Sequence, residues 1–176
     1  MEQNLVPDWV IGDFDSLPHS ARQQIPASRR IEIAEQDTTD FEKCLTSVNA
    51  PLILAVGFTG ARIDHQLAVF NALVRHPDRN CIVVGPEDVI FAAPTSLMLD
   101  CPPAMRVSLF ALREMRAMST GLRWPIDEVR FAGDGELGTS NEAMGPVVLE
   151  VDGPGMLVLL PRSALDLVID ALTRDR

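Results

Sequence analysis

Leu52–Val56 is a continuous apolar run that ends in Gly57, and it constrains the fold more than any other stretch. A run of that kind reads as a strand buried on both faces, as in a parallel sheet. It opens into Gly57-Phe58-Thr59-Gly60-Ala61-Arg62-Ile63-Asp64-His65, after which Ile63, Leu67, Phe70 and Val74 share one helical stripe. The order is therefore strand, glycine loop, helix. A loop of this type presents free backbone N–H groups at a helix N-terminus, which suits an anion, and Arg62 adds a planar fork matched to phosphate oxygens. No Gly-Lys-Ser/Thr follows, so this is not a P-loop, and the spacing is not the G-x-G-x-x-G of a dinucleotide site. Alone, His65 reads as an ordinary helix residue. Arg62, Asp64 and His65 within one turn form a more pointed group.

The N-terminal part supplies carboxylates. Asp8-Trp9-Val10-Ile11-Gly12-Asp13-Phe14-Asp15-Ser16 reads as a short buried strand running into a turn. Because side chains alternate along an extended chain, Asp13 and Asp15 are expected to point the same way and to be able to share one cation. Oxygen ligands of that kind suit Mg2+, which is commonly held by one or two carboxylates plus the phosphates of a substrate. A solvated Asp-rich turn is the alternative, since these residues are also turn formers. A short helix over Leu17–Gln24 and a strand over Arg30–Ile33 follow. Thr39 with Glu42 forms a capping box, and Phe41, Cys44, Leu45 and Val48 give the helix behind it one apolar face. Asp37 and Asp40 then flank a helix N-terminus, where acidic residues also favour the macrodipole without any ligand.

From Cys81–Val84 and Gly85-Pro86 onward the pattern changes. Val89–Ala93, Leu97–Leu99, Arg106–Leu112, a segment ending at Trp124, Leu137–Ser140, Val147–Val151 and Met156–Leu160 are short strand-like runs separated by turn formers. Short strands at near-regular spacing predict a small antiparallel sandwich or barrel. Ser163–Leu172 predicts a terminal helix. The expected organisation is an α/β domain with a Rossmann-like, mostly parallel sheet over residues 1–90, a small antiparallel β-sandwich domain over 91–162 and a helical tail over 163–176.

Composition narrows the function classes. Of the 176 residues 47% are hydrophobic, yet the apolar runs fall far short of the ~20 residues that cross a bilayer. Met1–Asn4 has neither the basic nor the apolar region of a secretory signal, so the expected location is the cytoplasm. Three widely spaced cysteines, Cys44, Cys81 and Cys101, argue against a disulfide framework and read as buried thiols. A net charge of −10 makes nucleic acid a poor partner, because affinity there rests on Lys and Arg neutralising phosphates. A cationic small molecule fits better, and an anionic nucleotide needs a metal, local Arg or helix N-termini to be held.

Five motifs stand in order along the chain: Gly12-Asp13-Phe14-Asp15-Ser16, Gln36-Asp37-x-Thr39-Asp40-Phe41, Gly57-x-x-Gly60-x-Arg62-x-Asp64-His65, Thr120-Gly121-Leu122-Arg123-Trp124 and Thr139-Ser140-Asn141-Glu142. Together they resemble the thiamine pyrophosphokinase (thiamine diphosphokinase) family, from Pro7 to about Leu160. The resemblance implies a homodimer of two-domain subunits that moves the β,γ-diphosphoryl unit of ATP onto the hydroxyl of thiamine, with Mg2+ required. By motif match Asp13, Asp15 and Asp40 would hold the metal and polyphosphate. Gln36, Thr39 and the loop glycines Gly57 and Gly60 would line the nucleotide pocket. Arg62 and Asp64, supported by His65, would act on the phosphates and the reacting hydroxyl, whose proton is assigned to Asp40 or Asp64. Trp124 would provide an aromatic wall, and Ser140 and Asn141 polar contacts, for thiamine. Family members carry a further strand and an acidic, Gly-rich segment ahead of the first motif, so an N-terminally short form is expected here. Glu35, Ala61 and Gly138 stand where Asp, Gly and Ser are common. A non-catalytic thiamine- or nucleotide-binding relative and a metal-dependent nucleotide phosphohydrolase are the alternative readings.

Overall fold

The computed structural model describes residues 7–15, 17–60 and 62–174. The readings of Met1–Asn4, Ser16 and Ala61 fall outside them. The chain divides into two compact units, Met1–Asn49 and Ala50–Arg176.

In the first unit β1 (Val10–Gly12) and β2 (Arg30–Glu32) pair in parallel, Val10 opposite Arg30 and Gly12 opposite Glu32. Between them lies α1 (His19–Gln24). The helix α2 (Asp40–Ser47) packs on β1 and buries Phe41 and Leu45. Its start matches the capping signal: the Thr39 side chain accepts from the Glu42 backbone N–H at 3.3 Å. Val48 is the C-cap and is exposed, so the predicted apolar face ends one turn earlier. Trp9 lies outside β1 and is exposed, and β1 is only partly buried.

The second unit opens with β3 (Ile53–Val56), α3 (Ile63–Arg75) and β4 (Cys81–Val84), and β3 and β4 pair in parallel. From β5 (Asp88–Ala92) onward the strands pair with one another antiparallel, through β6 (Ser96–Leu99), β7 (Arg106–Ala111), β8 (Ala117–Leu122), β9 (Gly138–Val151) and β10 (Met156–Pro161). The spatial order is β3-β4-β5-β10-β7-β9-β6, with β8 also on β9. The fold is thus mixed α/β, built on a curled mixed sheet. The pattern change read near residues 86–95 coincides with the switch from parallel to antiparallel pairing, and it falls inside one continuous sheet, because β4 pairs directly with β5.

Leu137–Ser140 and Val147–Val151 are not separate strands. From Gly138 on they belong to the 14-residue β9, which pairs with β7 over 138–142, with β8 at Ala143 and over 148–151, and with β6 over 147–150. Gly145 and Pro146 are carried inside it because the strand changes partners there. Gly121 of β8 faces the same place with φ +81°, and a Cβ on it would lie 2.1 Å from the Pro146 carbonyl oxygen, so glycine alone fits. The core of this unit gathers Ile82, Phe91, Leu97, Leu99, Leu109, Phe131, Met156 and Leu160. It also takes in Val168 of α4 (Leu165–Thr173), the expected terminal helix.

Two expectations about the opening run are corrected. β3 is the last strand of its sheet rather than an inner one, and Leu54 and Val56 are exposed, Val56 to 68%. On α3 the residues buried are Val69, Ala72 and Leu73, while Ile63 is 76% exposed and Leu67 is exposed as well. α3 is apolar on more than one face, and periodicity does not say which face the sheet covers.

Among the described residues no helix is long and apolar enough to cross a membrane. Cys81 and Cys101 are buried free thiols, and burial pushes them up to about 12 and about 11; Cys44 is a partly buried free thiol.

Candidate functional site

In the first unit the end of β1 meets the start of α2. A Cβ on Gly12 would lie 2.8 Å from Asp40 Oδ1, so the absence of a side chain there is what lets Asp40 sit over the strand end. Beyond Gly12 the chain is no longer extended. Phe14 has φ +63°, and the Asp15 backbone N–H turns back to donate to Asp13 Oδ1 at 3.2 Å. The alternation that was to align Asp13 with Asp15 therefore does not apply, because the strand stops one residue before the pair. Asp13 Oδ2 accepts from Gln36 Nε2 at 3.1 Å. These two donors, led by the Asp15 N–H and helped by Lys43, hold the Asp13 carboxyl below the usual carboxylate range.

The side chain that joins Asp13 to Asp40 is Lys43, which the sequence reading did not single out. It is 3% exposed, with Nζ 3.6 Å from Asp13 Oδ2 and 3.7 Å from Asp40 Oδ1. The available signal was its i,i+3 spacing from Asp40 on a capped helix. Glu35 was also undervalued. Its carboxylate accepts from the backbone N–H groups of Asp37 (2.7 Å) and Thr38 (3.0 Å) and from the Thr38 hydroxyl, so it folds the loop that delivers Gln36 and Thr39. The Thr38 hydroxyl, first among these, lowers the Glu35 pKa.

In the second unit the loop between β3 and α3 has Gly57 at φ +84° and Gly60 at φ +100°, conformations that glycine adopts without strain. The Gly60 N–H donates to Gln66 Oε1 at 3.2 Å, tying the loop to the first turn of α3. At the N-cap Arg62 grips Asp64 in a fork, Nε to Oδ1 at 3.1 Å and an Nη to Oδ2 at 2.5 Å. That grip lowers the Asp64 pKa to about 2 and raises that of Arg62. Both side chains are exposed, as is His65, so the fork can open at little cost.

Further along this unit Asn141 is 5% exposed and its amide is taken up locally. Its Oδ1 accepts from the backbone N–H groups of Trp124 (3.2 Å) and Glu142 (2.8 Å), and its Nδ2 donates to the Trp124 carbonyl at 2.7 Å. Asn141 thereby fixes the backbone that presents the exposed Trp124 indole, over which Arg123 sits at 5.6 Å. Ser140 has φ +61° at the register shift between β7 and β9, its N–H on Ser108 Oγ at 3.0 Å, and its side chain is exposed. A separate cavity of about 680 Å³, walled by Glu114, Arg116, Asp127, Glu128, Arg130 and Asp152 among others, contains none of the residues singled out from the sequence.

Asp13, Asp15, Gln36, Thr39 and Asp40 thus belong to the first unit, and Gly57, Gly60, Arg62, Asp64, His65, Trp124, Ser140 and Asn141 to the second. Among the described residues no group of three or more His, Cys, Asp or Glu side chains could by itself hold a metal ion. The oxygen-only donor set of Asp13 and Asp40, already bracketing a cationic group, fits a partial Mg2+ site that substrate oxygens complete.

A parallel strand pair continued by antiparallel strands, with an acidic strand end and a glycine loop at a helix start, defines a mixed α/β protein of the kind seen in several solved thiamin pyrophosphokinases. The one from Geobacillus thermodenitrificans is 26% identical with a TM-score of 0.69, covering 88% of this chain and 77% of that one. The Candida albicans structure has a TM-score of 0.72 at 14% identity, over 89% and 75%. Residues 1–84 match the family model for the thiamin pyrophosphokinase catalytic domain. Thiamine pyrophosphokinase 1 of Oryza sativa subsp. japonica is 27% identical over 154 residues, 77% of this chain and 58% of its own length. Thiamin pyrophosphokinase 1 of Caenorhabditis elegans is 26% identical over 155 residues, 77% and 62%. The chain is thus similar to the thiamine pyrophosphokinases, its first 84 residues to the model of their catalytic domain, and it spans about three fifths of the length of these curated relatives.

Proposed function

We propose that the chain transfers the β,γ-diphosphoryl unit of ATP to the hydroxyl of thiamine, giving AMP and thiamine diphosphate. The observation that carries this reading is the Asp13–Lys43–Asp40 cluster at a strand end and helix start, within the segment matched to the family's catalytic domain. Phosphoryl transfer needs positioning and charge stabilisation more than covalent help, and these residue types supply both.

In this reading Asp13 and Asp40, with Asp15, hold Mg2+, which when bound neutralises charge on the polyphosphate. Gln36 orients Asp13 through its amide, and Thr39 caps the helix that carries Asp40. Gly57 and Gly60 let the backbone of the loop approach phosphate oxygens. Arg62 turns from Asp64 to the transferred group. A guanidinium fork cannot grip a carboxylate and a phosphate in the same geometry, so phosphate binding releases Asp64. Its pKa then climbs from about 2 toward the ordinary 3.8, and the freed carboxylate becomes a better acceptor for the hydroxyl proton. Asp40 remains the other candidate, and His65 supports the pair. Trp124 offers its exposed face to the thiazolium cation, Asn141 holds that face in place, and Ser140 adds a polar contact. A Rossmann-like grouping of the parallel strands, a sandwich-like grouping of the antiparallel strands after about residue 90, a homodimer and a cytoplasmic location belong to the same proposal.

Purified protein with ATP, Mg2+ and thiamine is expected to form AMP and thiamine diphosphate, and Asp13→Ala to abolish both. ADP as the nucleotide product refutes the transfer, and phosphate release without thiamine points to hydrolysis instead.

A further inference from the structure

We propose that Lys43 is a built-in counter-ion for Asp13 and Asp40, which keeps the pair from taking up a bare divalent cation and reserves it for a cation already carried by a polyphosphate. This rests on the assignment of Asp13 and Asp40 to metal and polyphosphate binding. Lys43 is 3% exposed and its side chain only 2%, so its ammonium does not reach out to a ligand from where it lies. It acts through the two carboxylates, at 3.6 and 3.7 Å, and its field extends to Glu35, whose carboxyl it helps to lower. Neighbours on the same helix, Phe41 and Leu45, are buried and fix the azimuth of α2, so Lys43 is held between the acids by the core.

The consequence is one of charge and ligand number. Asp13, Asp40 and Lys43 together carry one net negative charge. A bare divalent ion brought to the carboxylates would meet the ammonium at close range, and among the described residues no group of three or more His, Cys, Asp or Glu side chains is arranged to hold it without added ligands. A metal–polyphosphate complex brings its own oxygen ligands and an excess of negative charge, which turns the ammonium from a repulsive neighbour into an attractive one. Lys43 is therefore a positioning residue that decides what form of the metal the site accepts.

The experiment is Mn2+ titration of the nucleotide-free protein, followed by electron paramagnetic resonance, for wild type, Lys43→Met and Lys43→Arg. A unit charge about 5 Å from a divalent ion, even in a water-like dielectric, weakens binding on the order of tenfold. Lys43→Met is expected to bind Mn2+ tighter by that factor, and Lys43→Arg to stay weak. Unchanged or weaker binding in Lys43→Met overturns the proposal, because a purely structural lysine would loosen the site when removed. Should Lys43→Met not fold, wild type decides: Mn2+ bound without nucleotide as tightly as with a non-hydrolysable ATP analogue overturns it, and much weaker binding supports it. None of these readings needs turnover. Absence of AMP formation would sink the proposed reaction while leaving this result standing.

Discussion

Replacing Asn141 tests whether this residue works by holding Trp124 or by touching a ligand directly. The amide makes three hydrogen bonds, two accepted at Oδ1 from the Trp124 and Glu142 N–H groups and one donated from Nδ2 to the Trp124 carbonyl. Asn141→Ala strands all three partners. Leaving a buried polar group unpaired costs about 1–3 kcal/mol, and the partners here are partly buried, so the low end applies to each and the sum is roughly 2–4 kcal/mol. For a chain of this size that lowers Tm by roughly 5–15 °C. Urea denaturation followed by Trp124 fluorescence, in a Trp9→Phe background, measures it. Asn141→Asp is the sharper control, because it keeps the acceptor and sets an oxygen against the Trp124 carbonyl; it should destabilise at least as much as alanine. A loss below about 0.5 kcal/mol for Asn141→Ala, or an Asp variant as stable as wild type, refutes the positioning role.

Gly12→Ala places a Cβ 2.8 Å from Asp40 Oδ1 and must displace that carboxylate. The proposed diphosphoryl transfer should fall more than about tenfold, and retention of full kcat would show that Asp40 need not sit over the strand end. The Asp64 carboxyl lies below its unfolded value of 3.8, so the stabilisation from its pairing with Arg62 is complete above 3.8 and is lost as pH falls through about 2. Side-chain carboxyl NMR should find its midpoint near 2 in wild type and closer to 3.8 in Arg62→Ala; a wild-type midpoint near 3.8 contradicts the fork.

Local chemistry was legible from sequence wherever one residue and its near neighbours decide the outcome. Thr39 capping α2, the strands β4 to β8 and β10, and the change of pairing between Val84 and Asp88 all follow from turn formers and short periodicities. What failed depended on partners distant in the chain. Gly145-Pro146 has the composition of a break, but β7 pairs with β9 before it and β6 and β8 pair with β9 after it, and a strand that changes partners tolerates both residues at the change. The Leu52–Val56 run was read as an inner strand from hydrophobicity alone, which cannot distinguish a covered face from an exposed one. Lys43 was not singled out, because its partner Asp13 lies thirty residues upstream in the turn after β1.

The same lesson bears on how an acidic chain could hold a polyanion. With a net charge of −10, the protein as a whole repels ATP, and local cations must compensate. The two cations that the proposed function uses, Lys43 and Arg62, are both already committed to carboxylates, Lys43 to Asp13 and Asp40 and Arg62 to Asp64. Binding in this reading is therefore an exchange of partners. The exposed Arg62 fork opens toward phosphate and frees Asp64, while the buried ammonium stays in place and the metal arrives with the nucleotide. An exposed ion pair contributes little and opens readily, whereas a buried one is costly to break. The cation that must move is thus the exposed one, and the cation that sets the character of the metal site is the one the core immobilises.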